Sequence, residues 1–195
     1  MSDKIDAINV GELEGRAREL LSQMGYDFYA SGANDEITLR ENRAAYERIK
    51  LLPRMLVDVS VREMSTTALG EPVSMPILIA PMALQGLAHP DAEIATIKAA
   101  SAAKTLTTLA TLSNTSIEEA LAAATGPVWF QLYVFRDRAL TASLVQRAEA
   151  AGCKAVVLTV DVPLPGKRER RAQSIDAARS SVSKKPLAGR TPRTA

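Results

Sequence analysis

The sequence predicts an α/β fold made of repeated strand-helix units around a parallel sheet, either closed into a (β/α)8 TIM barrel or open and doubly wound. Three observations point there. Short apolar runs alternate with helical periods from residue 77 to residue 162. Those runs are continuous rather than alternating, as strands covered on both faces should be. The connections between them are short, which for parallel strands implies right-handed crossovers.

Two helices precede the sheet. In "NVGELEGRARELLSQM" (9–24), Val10, Leu13, Ala17, Leu20 and Leu21 recur at helical spacing, and Gly25 is the expected stop. "NDEITLRENRAAYERIKL" predicts a second helix, with Asn34 as its cap and Asp35 and Glu36 at its positive end. The first strand is expected at 77–80 within "SMPILIAPMA" (74–83), closed by Pro81. Helix 91–103, strand 106–110, helix 116–124, strand 128–134, helix 137–151 and strand 154–162 then follow in order.

The two architectures differ in what they ask of the loop after the first strand. An open dinucleotide-binding sheet needs a Gly-rich turn there, and "APMALQGLAHP" has one glycine where that fingerprint needs three. Polar residues gather instead at strand ends, with Gln131 and Tyr133 on the third strand and Thr159 and Asp161 on the fourth. Strand ends carry the chemistry of barrels, so the pattern favours the barrel and leaves the open sheet as the alternative.

Composition bounds the function. A chain of 195 residues, 47% hydrophobic and 24% charged, has the make-up of one globular domain. The single Cys153 excludes an intramolecular disulfide, fits a reducing compartment and reads as small core filler. No run approaches the roughly 20 apolar residues of a membrane span, and "MSDKIDAINVGELEGRAREL" lacks the layout of a signal peptide, so the cytoplasm is the expected location. Residues 167–195 carry 9 Lys/Arg against 2 Asp/Glu, whereas residues 1–166 carry 15 against 20. That basic stretch has no Phe, Trp or Tyr for base stacking and no amphipathic period, so it reads as solvated charge without specific nucleic-acid or membrane recognition.

Five segments, "YDFYASGANDEITLRENR", "LLPRMLVDVS", "MPILIAPMALQGLAHPDAE", "WFQLYVFRDR" and "LTVDVPLPGKRE", occur in this order. Together they resemble the FMN-dependent 2-hydroxy-acid oxidase and dehydrogenase family across nearly all of residues 5–169. The resemblance implies a (β/α)8 barrel with FMN lying across the carboxyl ends of the strands. It implies that Pro81, Met82 and Ala83 pass under the flavin ring, with Ala110 nearby, and that Gln131 and Thr159 hydrogen-bond the ring's polar edge. It makes Tyr133 the active-site tyrosine, with Phe28 and Arg168 on the substrate side, and a guanidinium suits a substrate carboxylate. The implied reaction oxidises a small L-2-hydroxy acid, lactate or glycolate, to the 2-oxo acid, with oxygen or another acceptor taking the electrons. No metal is expected. Trp129 and Phe130, beside Gln131, read as core.

The chain also departs from the family. Phe28 stands where many members have a tyrosine, Ala110 where serine is common, Leu112 where glycolate oxidases have tryptophan, and Pro165 where leucine is usual. The only histidine, His89, sits in "LAHPDAE", away from the later-strand motif that supplies the family's base. From Arg170 the sequence ceases to resemble the family. The expectation is therefore a half-barrel of about four strands over residues 1–169 and a disordered basic tail over 170–195. Open edges on the first and fourth strands predict self-association. The alternative function is a non-catalytic half-barrel or a subunit that needs a complementary chain.

Overall fold

The computed structural model describes residues 7–161, 164 and 166–175. The chain divides into two compact units, Met1–Leu52 with Pro165–Ala195, and Pro53–Leu164.

The first unit holds α1 (Gly11–Leu20), α2 (Gln23–Ala30), α3 (Ile37–Glu47) and a helical stretch at 169–175. The single helix expected over 9–24 is two. Ser22 adopts an extended conformation and its hydroxyl accepts from the Gly25 N–H at 3.1 Å, which starts a new helix. Gly25, expected as the stop, lies buried inside α2. The expected cap of α3 also moves. Asn34 takes a left-handed φ of 47° and its N–H donates to the Lys167 carbonyl at 2.8 Å, while Glu36 occupies the cap position. The Glu36 carboxylate accepts from the Gly32 N–H at 3.0 Å and from Arg170 Nε at 2.7 Å, and these two donors hold it below the usual carboxylate range.

Residues 170–175, expected to belong to the disordered tail, are helical and hydrogen-bonded to α2 and its following loop. Arg170 Nη2 donates to the Ala30 carbonyl at 2.7 Å, and the Ser174 hydroxyl donates to the Asp27 carboxylate, which also accepts from Gln23 at 2.9 Å. Burial opposes ionisation of Asp27, but Ser174, Gln23 and Arg170 outweigh it and its carboxyl lies below the usual range. The remainder of the expected tail, 176–195, and Pro165 lie outside the described residues.

The second unit begins with a hairpin, β1 (Thr66–Ala68) and β2 (Glu71–Val73), that the strand-helix pattern did not include. Leu69 at φ 49° and Gly70 at φ 85° form its two-residue turn; positive φ at both positions matches the twist of paired strands. Next come α4 (Ala92–Ala102), β3 (Thr107–Leu109), α5 (Ile117–Ala123), β4 (Val128–Leu132), α6 (Arg138–Ala151) and β5 (Val156–Leu158). Strands β3, β4 and β5 pair in parallel in that order, each strand-helix unit laying its strand beside the last.

The expected first strand, 77–80, is a single bridge from Ile79 to Thr107. Its flanking prolines are the reason. Pro76 and Pro81 have no N–H to give a ladder, so pairing reduces to Ile79 N–H on the Leu106 carbonyl at 2.9 Å and Thr108 N–H on the Ile79 carbonyl at 3.0 Å. Sequential parallel pairing bears out the α/β class, with three strands and a bridge in place of four strands.

One face of this sheet meets the helices. Leu109, Val128, Phe130 and Leu132 pack there with Ile97, Ile117, Ala120 and Ala148. Strand alternation turns Trp129 and Gln131 to the other face. Phe130 is core as expected, at 1% exposure; Trp129 is half-buried, and its Nε1 is enclosed without a partner among the described residues.

Helix α5 starts on a capping box between Ser116 and Glu119 and is tied to α6 by a two-pronged ion pair. Arg147 Nε and Nη2 donate to Glu118 at 2.8 and 2.7 Å. The Arg147 guanidinium pulls Glu118 from its ordinary 4.5 to about 2. Because the folded value is the lower one, this stabilisation is complete above the unfolded value and is lost as pH falls toward about 2. Thermal melts across that acid window should therefore fall less steeply for Glu118→Gln than for the parent, and equal slopes would contradict the pairing.

Candidate functional site

The carboxyl ends of the parallel strands bring together most of the residues singled out above. Gln131 is the penultimate residue of β4 and is 3% exposed. Its Oε1 accepts from the Thr111 N–H at 3.0 Å and its Nε2 donates to Thr159 Oγ1 at 2.8 Å. One side chain thus links the loop after β3, the end of β4 and the residue that follows β5. Thr111 closes the cluster, its hydroxyl donating to the Gln131 carbonyl at 2.5 Å and accepting from the Tyr133 N–H at 3.1 Å.

Around this cluster, Ala110 is buried directly after β3, and Tyr133 follows β4 with 37% of its surface exposed. Pro81, Met82 and Ala83 form the loop after the Ile79 bridge, where Pro81 and Met82 are exposed. Leu112 is half exposed in the loop after β3. A row of strand ends with polar groups inside and an open loop beside them is where β/α proteins hold ligands.

The other two expected site residues belong to the first unit. Arg168 Nη1 donates to the Phe28 carbonyl at 3.0 Å, so these two sit together. Arg171 lies over the Phe28 ring, 5.1 Å from its centre, and Tyr29 meets the same ring edge-on at 5.0 Å. Arg168 has no carboxylate partner among the described residues, which leaves its guanidinium charge available to an anion.

Several residues drop out of the chemistry. His89 is exposed just before α4, its Nδ1 accepting from the Asp91 N–H at 3.1 Å, and it takes no part in the hydrogen bonds that build the Gln131 cluster. Asp161 is exposed. Cys153 packs against the core, and burial pushes its thiol up to about 11. Alkylation by iodoacetamide at pH 8 should be at least about tenfold slower than for a free thiol, since only the thiolate reacts. Labelling at the free-thiol rate would contradict that packing.

Thr111 carries little sequence signal of its own. That signal is the polar run "TLSNTS" (111–116) directly after a buried strand, and a threonine there reads by default as a loop residue.

Parallel strand-helix units with a buried polar cluster at their carboxyl ends define the class, a β/α scaffold of the kind that in barrels carries its chemistry at that edge. Residues 17–190 match the family model described as FMN-dependent dehydrogenase, and the chain belongs to that family of flavoprotein oxidoreductases, whose cofactor is FMN. The match continues beyond Arg170. The chain is 55% identical over 167 residues to the L-lactate oxidase of Nostoc sp., covering 84% of this chain and 46% of that protein. It is 52% identical over 165 residues to the glycolate oxidase of Spinacia oleracea, covering 85% and 45%. Among solved structures, a mandelate oxidase variant with (S)-mandelic acid superposes with a TM-score of 0.83 at 41% identity, over 86% of this chain and 50% of that one. The chain thus spans about half the length of the curated relatives it matches.

The residues present fit the polar edge of a flavin ring. An amide has two N–H donors and two acceptor lone pairs, so Gln131 keeps one of each after its two bonds within the cluster. The Thr159 hydroxyl accepts from Gln131 and has no acceptor for its own proton among the described residues. Among the described residues no helix is long and apolar enough to cross a membrane.

Proposed function

We propose that this chain forms the flavin-ring and substrate side of an enzyme that oxidises a small L-2-hydroxy acid, lactate or glycolate, to the 2-oxo acid. The observation that carries the reading is the Thr111–Gln131–Thr159 cluster at the strand ends of a chain from this family. The names of its relatives, L-lactate oxidase and glycolate oxidase, support the substrate class. FMN, when bound, supplies the two-electron acceptor for the substrate's α-carbon, and oxygen or another acceptor completes turnover.

Gln131 and Thr159 would hold the ring's polar edge, with Pro81, Met82, Ala83 and Ala110 along the ring. The Tyr133 phenol would touch the substrate, and Arg168 would take its carboxylate, a charge-assisted contact well matched in shape. Phe28 offers a ring surface without a hydroxyl, so on that side the substrate is packed rather than hydrogen-bonded. The substrate hydroxyl must also lose a proton, and the resemblance assigns that base to a later-strand motif rather than to His89, which makes no hydrogen bond to the strand-end cluster among the described residues. Residues 1–195 alone are therefore expected to turn over slowly at best. The lone Cys153 thiol, partly buried against the core, suits a reducing compartment, and we place the protein in the cytoplasm.

Anaerobic addition of L-lactate or glycolate tests the reading. The FMN-loaded chain, supplemented with the second half of the Nostoc-type lactate oxidase, should bleach far faster than the chain by itself. A supplemented, flavin-retaining complex inert to both acids would overturn it.

A second reading, a half-barrel that works only with a complementary surface, is favoured by β5. Val156, Leu158 and Val160 are 45%, 52% and 79% exposed, although in register Val156 and Leu158 lie beside the core residues Phe130 and Leu132. Such an apolar edge favours self-association. Sedimentation velocity should show concentration-dependent dimers or larger species; a sharp monomer with a cooperative thermal transition would count against it.

A further inference from the structure

Glu93 lies in the first turn of α4 and is 1% exposed, yet it takes no part in the cluster around Gln131. A buried carboxylate is costly unless its lone pairs are filled. Here they are filled from two loops. Oε1 accepts from the Asn114 N–H at 3.0 Å and, more weakly, from the Gln85 N–H at 3.4 Å, while Oε2 accepts from the Thr115 hydroxyl at 2.9 Å. Gln85 belongs to the loop that carries Met82 and Ala83; Asn114 and Thr115 belong to the loop that carries Ala110 and Thr111.

The two loops are joined further around this carboxylate. Gly86 N–H donates to the Asn114 side-chain oxygen at 2.8 Å, and Leu84 N–H donates to the Leu112 carbonyl at 3.0 Å. The Gln85 side chain accepts from Thr96 at 2.5 Å and donates to the Met82 carbonyl at 3.3 Å. A Cβ at residue 86 would come within 3.0 Å of Asn114, so glycine is what permits the close approach. Ala92, just before Glu93, sits at φ 42°, an uncommon conformation for a residue with a side chain. The backbone departs from its ordinary helical start at the residue that introduces the buried carboxylate.

We propose that Glu93 is a positioning residue that fixes the loop after the first bridge and the loop after β3 relative to one another. The functional meaning rests on the FMN reading, because these loops carry Met82, Ala83, Ala110 and Thr111 on the expected ring side. Glu93 touches neither ring nor substrate in this role. It acts through the backbone of Gln85 and Asn114.

Amide hydrogen exchange on the full chain without added cofactor tests the coupling directly. Glu93→Ala should speed exchange at Gly86 and Asn114 together by about tenfold or more, while Phe130 and Leu132 in β4 keep their protection. Glu93→Gln keeps an acceptor oxygen and should restore most of the protection. If Glu93→Ala does not fold, Thr115→Val removes a single bond and should still loosen both loops. Unchanged exchange in either loop, or equal acceleration throughout β4, would overturn the proposal.

A parallel FMN titration separates this inference from the reading beneath it. Glu93→Ala should weaken FMN retention by about tenfold, with Glu93→Gln close to the parent, a loss of the size expected for unfilled buried hydrogen bonds. Retention equal to the parent despite loosened loops would overturn the positioning role. A parent chain that retains no FMN would remove the FMN reading, and the exchange comparison would still decide whether Glu93 couples the loops.

Discussion

Phe130→Ala is expected to destabilise the sheet-bearing unit by about 3–5 kcal/mol, the usual range for emptying an aromatic core position. Phe130 is 1% exposed on the central strand β4 and packs in the cluster containing Ile97, Leu109, Ile117 and Ala148. Its own N–H donates to the Ala155 carbonyl at 2.9 Å, so the side chain is anchored where β4 meets the start of β5. A loss this large approaches the whole stability of many domains. Phe130→Leu, which keeps most of the volume, should cost roughly 1 kcal/mol and remain folded. Urea unfolding followed by circular dichroism measures both. A loss below about 1 kcal/mol for the alanine variant would mean that β4 is not the centre of the core.

The second large effect is expected at Gln131. Gln131→Leu matches the side chain's size, removes the acceptor for the Thr111 N–H and the donor to Thr159, and leaves a polar pair without its link. FMN retention should fall about tenfold or more, since buried polar groups left unpaired cost about 1–3 kcal/mol. Far-ultraviolet circular dichroism should be unchanged. Thr159→Val, which removes a single hydroxyl, should lose retention to a smaller degree. Undiminished retention in Gln131→Leu would show that the flavin edge is held elsewhere.

The three strand-helix units from α4 to β5 were legible because each buries a stripe or a run that the sequence displays without interruption. "VWFQLYV" and "SIEEALAAA" are examples, the second opening on its own capping box. Legibility failed where a local group decided the outcome. Ser22 divides one apolar period into two helices, Pro76 and Pro81 reduce a run of four apolar residues to one bridge, and Leu69-Gly70 makes a turn between strands too short to show a period.

At the site, the strand-end polar residues Gln131, Tyr133 and Thr159 stood out as exceptions in apolar runs, whereas their roles came from the family resemblance. Thr111 and Glu93 were hidden for a physical reason. A glutamate in a first helical turn ordinarily serves the helix dipole at the surface, and nothing local says that two loops will fold over it. Arg170 was hidden among basic neighbours in the same way, although it pairs with Glu36 and caps the Ala30 carbonyl.

The measurement that bears most directly on the account is the visible absorption spectrum of the purified chain after FMN is added and the excess removed. A retained band near ~450 nm, lost in Gln131→Leu, is the predicted result, because the strand ends of β3, β4 and β5 already present a joined polar edge. A colourless parent chain at near-stoichiometric FMN would contradict it and leave these residues as a scaffold without a cofactor site of their own.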